Sequence, residues 1–187
     1  MAASGEYVLG GTETEQRRLL RQVEGFDAEA CWLLDRVAVQ PGWRAIDVGC
    51  GPLGILDRSS ERVGPTGTVV GLEREPRFAA MGRAIAAERG LANVEYVQAD
   101  ANATGLPRGS FDFVHERLAI IQQPDPERML AEMVALARPG GIVAAQEIDQ
   151  ASWLCEPPHP SWDTLLAALR TVLAEGGVDY FLGRRSG

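Results

Sequence analysis

The chain has 187 residues, enough to bury the core of one domain and too few for two ordinary ones. With 45% hydrophobic and 24% charged residues, no apolar run of bilayer length and no basic start leading into an apolar signal core, it reads as a soluble cytoplasmic protein. Eighteen Lys and Arg against 26 Asp and Glu give a net charge of −8, and no basic block is long enough to follow a phosphate backbone, which argues against a nucleic-acid partner.

In chain order, Thr12 has the character of an N-cap with Glu15 three residues on, and helix formers run from there to about Gly25. A second helix starts at Asp27, with Ala30, Leu33, Leu34 and Val37 at helical spacing, so Cys31 and Trp32 read as packing residues. Pro41-Gly42 ends this preface. The pattern then alternates: a strand over 44–48, a glycine loop, a helix over 53–63, a turn at 64–67 and a strand over 68–72. A helix over 76–89 is stopped by Gly90, and strands over 94–98 and 111–115 follow. Asp125 caps a helix over 126–137, the last strand covers 141–148, and a helix covers 162–174. Strands separated by helices make parallel βαβ units, hence an open α/β sheet with its ligand at the carboxyl ends of the strands.

The loop Gly49-Cys50-Gly51-Pro52-Leu53-Gly54 spells a dinucleotide fingerprint, and Glu73 stands about 20 residues on, where a ribose-binding acid belongs. On those letters alone an NAD-dependent oxidoreductase is the reading. Asp47 dissents: a carboxylate facing the cleft would repel a pyrophosphate, yet it suits a ligand carrying an ammonium and a sulfonium. Asp100, at the end of VEYVQADA, is placed to accept from the exocyclic amine of a purine while Ala101 offers its N–H to a ring nitrogen.

With these acids in order after strands one, two and three, the chain resembles the class I S-adenosylmethionine-dependent methyltransferases, of the small-molecule type related to quinone and natural-product enzymes. The resemblance runs over residues 7–149. It implies a Rossmann-like open sheet in the order 3-2-1-4-5 with helices on both faces, a helical lid over residues 1–42 and a cofactor domain over 43–187. It implies S-adenosylmethionine as cofactor and S-adenosylhomocysteine as product. Tyr7 matches an aromatic that closes over the cofactor; Asp47, Gly49 and Gly51 match the motif that holds the methionine portion, with Cys50 a small residue between them. Glu73, followed by Arg74, matches the acid on the ribose hydroxyls, Asp100 and Ala101 the adenine pair, and FDFVHER brings His115, Glu116 and Arg117 to the cofactor's edge.

Methyl transfer from a sulfonium is an in-line displacement that needs chiefly alignment and, for a hydroxyl acceptor, removal of a proton. His115 is the base candidate by position, although a lining role for it and its neighbours is the favoured reading. His159, among prolines, reads as a surface or capping residue. Trp153 and Trp162 are candidates for an acceptor wall or for packing. Cys50 as a nucleophile is disfavoured, and no metal site is expected: Asp47 and Glu73 lie on different strands, and Cys31, Cys50 and Cys155 lack paired spacing. The resembled family has seven strands and this pattern has five, which leaves the fifth as an exposed edge. A chain cut short, a second copy or partner over that edge, or the carboxyl-terminal helix and tail folded over it would each account for this. The function expected is methylation of a small organic acceptor, with oxygen favoured. The alternative is a cofactor-binding module that is inactive or dependent on a partner.

Overall fold

Val69, Val70, Leu72, Ala45, Ile46 and Val48 are all but inaccessible to solvent, and strands this apolar on both faces form the centre of a parallel sheet. The computed structural model describes residues 12–185. Its strands are β1 (Arg44–Val48), β2 (Thr68–Glu73), β3 (Val94–Gln98), β4 (Phe111–Arg117) and β5 (Ala137–Gln146). All four pairings are parallel and the order is β3-β2-β1-β4-β5, as the resemblance implies.

Helices flank the sheet on both faces. On one face α2 (Asp27–Val37) and α3 (Leu56–Val63) pack through Ala30, Leu34, Leu56 and Val63 against Ala45, Val69 and Phe113. α4 (Pro76–Glu88) sets Gly82 against the Tyr96 ring, which packs on the same cluster. On the other face α5 (Pro126–Leu136) buries Met129, Met133 and Leu136 against Ile46, Val70 and Val114. α1 (Glu13–Gly25) precedes them and is capped by Thr12, whose hydroxyl accepts from the Glu15 N–H at 3.2 Å. α6 (Pro160–Glu175) and the short α7 (Leu182–Arg185) close the chain.

Three local expectations change. α3 begins at Leu56, three residues later than expected, because residues 53–55 remain in the loop. β5 begins at Ala137 and ends at Gln146, not at 141–148. Its register slips between Phe111↔Ala137 and Phe113↔Ile142, so residues 138–141 bulge out of the ladder. Gly141 permits this: a Cβ there would meet the carbonyls of Phe111 and Arg138 at 2.9 and 3.0 Å. Trp32, expected in packing, is 64% exposed; it faces away from the stripe formed by Ala30 and Leu34.

Among the described residues β5 is an edge of the sheet. The tail does fold back beside its end: Val178 and Tyr180 are buried, Leu182 packs on the α5-side core, and Tyr180 donates to the carbonyl of Gln150 at 2.7 Å. α6 buries no residue and leaves Leu165 and Val172 exposed. Among the described residues no helix is long and apolar enough to cross a membrane.

Candidate functional site

The carboxyl ends of β1, β2, β3 and β4 bring the acids singled out in the sequence to one side of the sheet. Register sets Asp47 opposite both Gly71 and His115, and Glu73 opposite Gln98. Asp47 is only 2% exposed. Its carboxylate does not face an open cleft, as the sequence reading has it, but turns inward: Oδ2 accepts from the Ile55 N–H at 3.0 Å, and Oδ1 lies 2.8 Å from Nδ1 of His115. The physical reason is the loop itself. Gly54, at φ +55°, brings the backbone so close that a Cβ there would lie 1.9 Å from Oδ2 of Asp47. Without that side chain the loop closes on the carboxylate and gives it a donor.

Where the loop's N–H groups go answers the question of ligand charge. Those of Gly49 and Cys50 both donate to the Leu72 carbonyl, at 2.8 and 3.2 Å. That of Gly51 donates to Oε2 of Glu73 at 2.8 Å, and that of Ile55 to Asp47. A pyrophosphate loop needs such donors turned outward toward the anion. Here these four are satisfied inside, two of them by carboxylates, so they are not turned outward to hold an anion.

Glu73 joins the loop to the next strand. It spans Gly51 N–H and, through Oε1, the Glu75 N–H at 2.7 Å. Burial pushes its carboxyl above the ordinary range, against the pull of those N–H donors. Arg74, next to it, is exposed. Asp100 is exposed and accepts from the Asn102 N–H at 2.8 Å and its amide at 3.2 Å. Ala101 follows it, half-buried. Tyr7 lies outside the described residues. The Leu19 side chain of α1 comes within 3.9 Å of where a Cβ on Gly51 would stand.

Residues 40–173 match the methyltransferase domain family. The chain belongs to the class I S-adenosylmethionine-dependent methyltransferases. It is 40% identical over 121 residues to nocamycin O-methyltransferase of Saccharothrix syringae, covering 65% of this chain and 43% of that protein. It is 33% identical over 134 residues to demethylmenaquinone methyltransferase of Anoxybacillus flavithermus, covering 70% of this chain and 56% of that one. A methyltransferase structure from Aquifex aeolicus superposes with a TM-score of 0.67 at 20% identity over 88% of each chain. The [4+2]-cyclase SpnF does so at 0.59 and 25% identity, over 64% of this chain and 44% of that one. This methyltransferase-family chain spans about half the length of the curated relatives it matches.

The family's cofactor fits what the chain presents. S-adenosylmethionine offers a sulfonium and an ammonium to a loop backed by Asp47 and Glu73, and its ribose hydroxyls are donors to which a carboxylate with spare lone pairs can accept. Gly49 keeps the floor clear, since a Cβ there would lie 2.9 Å from that of Ala119.

In this methyltransferase fold His115 is fully buried, with Nδ1 on Asp47 and Nε2 3.0 Å from Oε1 of Gln146 on β5. Neither nitrogen is open to an acceptor substrate, so the ring braces β1, β4 and β5. Cys50 is buried, and burial together with the Asp47 and Glu73 charges pushes its thiol well above the ordinary range, the opposite of an activated nucleophile. His159 caps α6, its ring accepting from the Ser161 N–H at 3.2 Å. Trp153 is exposed and Trp162 half-buried, and neither lies in the packed core.

Glu116 and Glu147 form a feature that the sequence did not signal as a pair. Oε2 of Glu116 accepts from the N–H groups of Ala119 and Ile120 at 2.9 and 3.1 Å, and Oε1 of Glu147 from that of Ile121 at 3.0 Å. Together they clasp the 3-10 turn Ile120–Gln122. Burial, then the Glu147 charge, pushes Glu116 up to about 8, and burial pushes Glu147 up to about 7. A proton on one carboxyl is thus retained at neutral pH.

The folded chain holds that proton while the unfolded chain releases it near 4.5. This group's contribution to stability is therefore fully present below about pH 4.5 and is lost as pH rises through about 8, with a slope of about 1.4 kcal/mol per pH unit for each retained proton. Glu116→Gln keeps an oxygen for Ala119 and Ile120 and supplies a permanent donor. Its melting temperature is expected to fall less between pH 6 and pH 8.5 than that of the wild type. Equal slopes in thermal scans of the two proteins would overturn this assignment.

Proposed function

We propose that the chain transfers the methyl group of S-adenosylmethionine to a small organic acceptor, with oxygen as the favoured acceptor atom. The single observation that carries this reading is the glycine loop closed on two carboxylates, Asp47 through Ile55 and Glu73 through Gly51. Such a loop suits a cationic amino acid, and Glu73, which we assign to the ribose, accepts from the same loop. The names of the relatives, an O-methyltransferase of nocamycin and methyltransferases of demethylmenaquinone, support a small acceptor, and the first of them supports oxygen. Asp100 and Ala101 are assigned to adenine, and Tyr7 to closure over the bound cofactor.

No buried side chain with a free base nitrogen stands at the carboxyl ends of β1 and β4 among the described residues, since His115 is engaged at both positions. Alignment of an acceptor already inclined to lose its proton suits this arrangement better than strong general-base catalysis. A second reading, cofactor binding without methyl transfer, is the weaker one, since the relatives the chain matches are named as methyltransferases.

Titration calorimetry with S-adenosylhomocysteine and a methyl-consumption assay across phenols, quinols and carboxylic acids separate the two. Micromolar binding with turnover on at least one acceptor is expected. Binding without turnover on any acceptor supports the second reading, and no binding at all overturns both.

A further inference from the structure

Arg117 is the last residue of β4, beside the glycine loop. Its Nη1 donates to the carbonyl of Phe26 at 3.4 Å and its Nη2 to that of Gly54 at 3.3 Å, with the guanidinium 5.4 Å from the centre of the Phe26 ring. Phe26 is the joint between α1 and α2, and Gly54 is the last glycine of the loop. Both bonds are long and both acceptors are neutral. Burial draws the Arg117 guanidinium below its ordinary range, so it is held partly out of water.

No carboxylate among the described residues forms an ion pair with it. The acids around it are Asp27, Glu29, Asp47 and Asp57. Asp27 is taken by Arg58 at 2.7 Å, Asp57 by Arg89 at 2.8 Å, and Asp47 by His115 and Ile55, while Glu29 is exposed and makes no ion pair with Arg117. Arg58, Arg62 and Arg89 on the same side of the sheet each have a carboxylate partner. A partly desolvated guanidinium that spends its donors on stretched carbonyl contacts has a planar fork open to an anion.

The proposed cofactor carries one anionic group, the α-carboxylate of its methionine portion. The carboxylates of Asp47 and Glu73 suit its two cations and repel that group, which therefore needs a cation at the loop's side. We propose that Arg117 takes the α-carboxylate of the cofactor, and through Phe26 ties an occupied loop to the joint of the α1–α2 cap. This rests on the S-adenosylmethionine reading above and adds to it the residue that recognises the amino-acid end.

The test is calorimetry of the full chain with two ligands: S-adenosylhomocysteine, and S-adenosyl-3-thiopropylamine, which lacks only the carboxylate. The wild type is expected to prefer the first by on the order of 10- to 100-fold. Arg117→Met is expected to lose that preference while binding the decarboxylated ligand within about twofold of wild type, the scatter expected where no contact changes. Arg117→Lys, which keeps the charge and loses the fork, is expected to recover part of the preference, and it serves as the test if the Met variant melts below the assay temperature. Equal weakening of both ligands would make Arg117 a structural brace and overturn the proposal. So would an undiminished preference in the Met variant. A wild-type chain that binds neither ligand overturns the cofactor reading itself and this one with it.

Discussion

Asp47→Ala is expected to cost about 3–5 kcal/mol of folding stability, since each buried donor left without an acceptor costs about 1–3 kcal/mol. The carboxylate accepts from His115 and from the Ile55 N–H in a space that solvent does not reach. Alanine leaves both donors without an acceptor and opens a void under Gly54. The melting temperature should fall by roughly 10 °C, and the loop should lose its closed form before any ligand is added. Asp47→Asn keeps one carbonyl oxygen for one of the two donors and is expected to fall about halfway between. Urea denaturation of the three proteins decides the matter. An alanine variant as stable as the wild type would mean that Asp47 is a ligand-facing acid with no part in the fold.

Glu73→Ala is expected to have the second large effect, and on binding more than on stability. A hydrogen bond to a charged acceptor is worth about 1.5–3 kcal/mol, so loss of the acid proposed to hold two ribose hydroxyls should weaken S-adenosylhomocysteine by roughly 100-fold or more in Kd. The fold should suffer less. The Gly51 and Glu75 N–H groups lose their acceptor, yet burial already opposes the Glu73 charge, and its removal relieves that cost. Calorimetry beside a thermal scan separates the two effects. A variant that binds as tightly as the wild type removes Glu73 from the ribose. Because its carboxyl is pushed above the ordinary range, cofactor affinity should also begin to fall on acidification at a pH higher than an exposed glutamate would give.

The strands over 44–48 and 94–98 were legible to the residue, since short runs with β-branched and aromatic residues between helical segments leave the chain little choice. Thr12 and Asp125 were legible as caps, because a side-chain oxygen that can satisfy an orphan N–H marks a helix start by local geometry alone. β5 was less legible. The expected strand starts only at Gly141, after a helix to 137, yet the chain pairs with β4 from Ala137 and bulges over 138–141. The gain from pairing with β4 is nonlocal and leaves no mark in the segment itself.

The site divides in the same way. The acids after the first three strands and the glycines between them were legible, because their order along the chain follows from where βαβ units place strand ends. From its sequence alone, then, the protein determined its fold class, its strand order by family resemblance, and the side of the sheet that holds the ligand. What only the tertiary structure decided is where each charge points and what it meets. Asp47 turns inward because Gly54 lets the loop close on it, and His115 is a brace because Gln146 arrives from a strand paired across β4. Glu116 meets the neighbourhood of Glu147, 31 residues on, only after β5 is laid down, and Arg117 is left with neutral acceptors while Asp27, Asp47 and Asp57 have other partners. Hydrogen bonds and charge pairs across strands depend on distances of a few ångströms between residues far apart in the chain, and periodicity and spacing report only on neighbours.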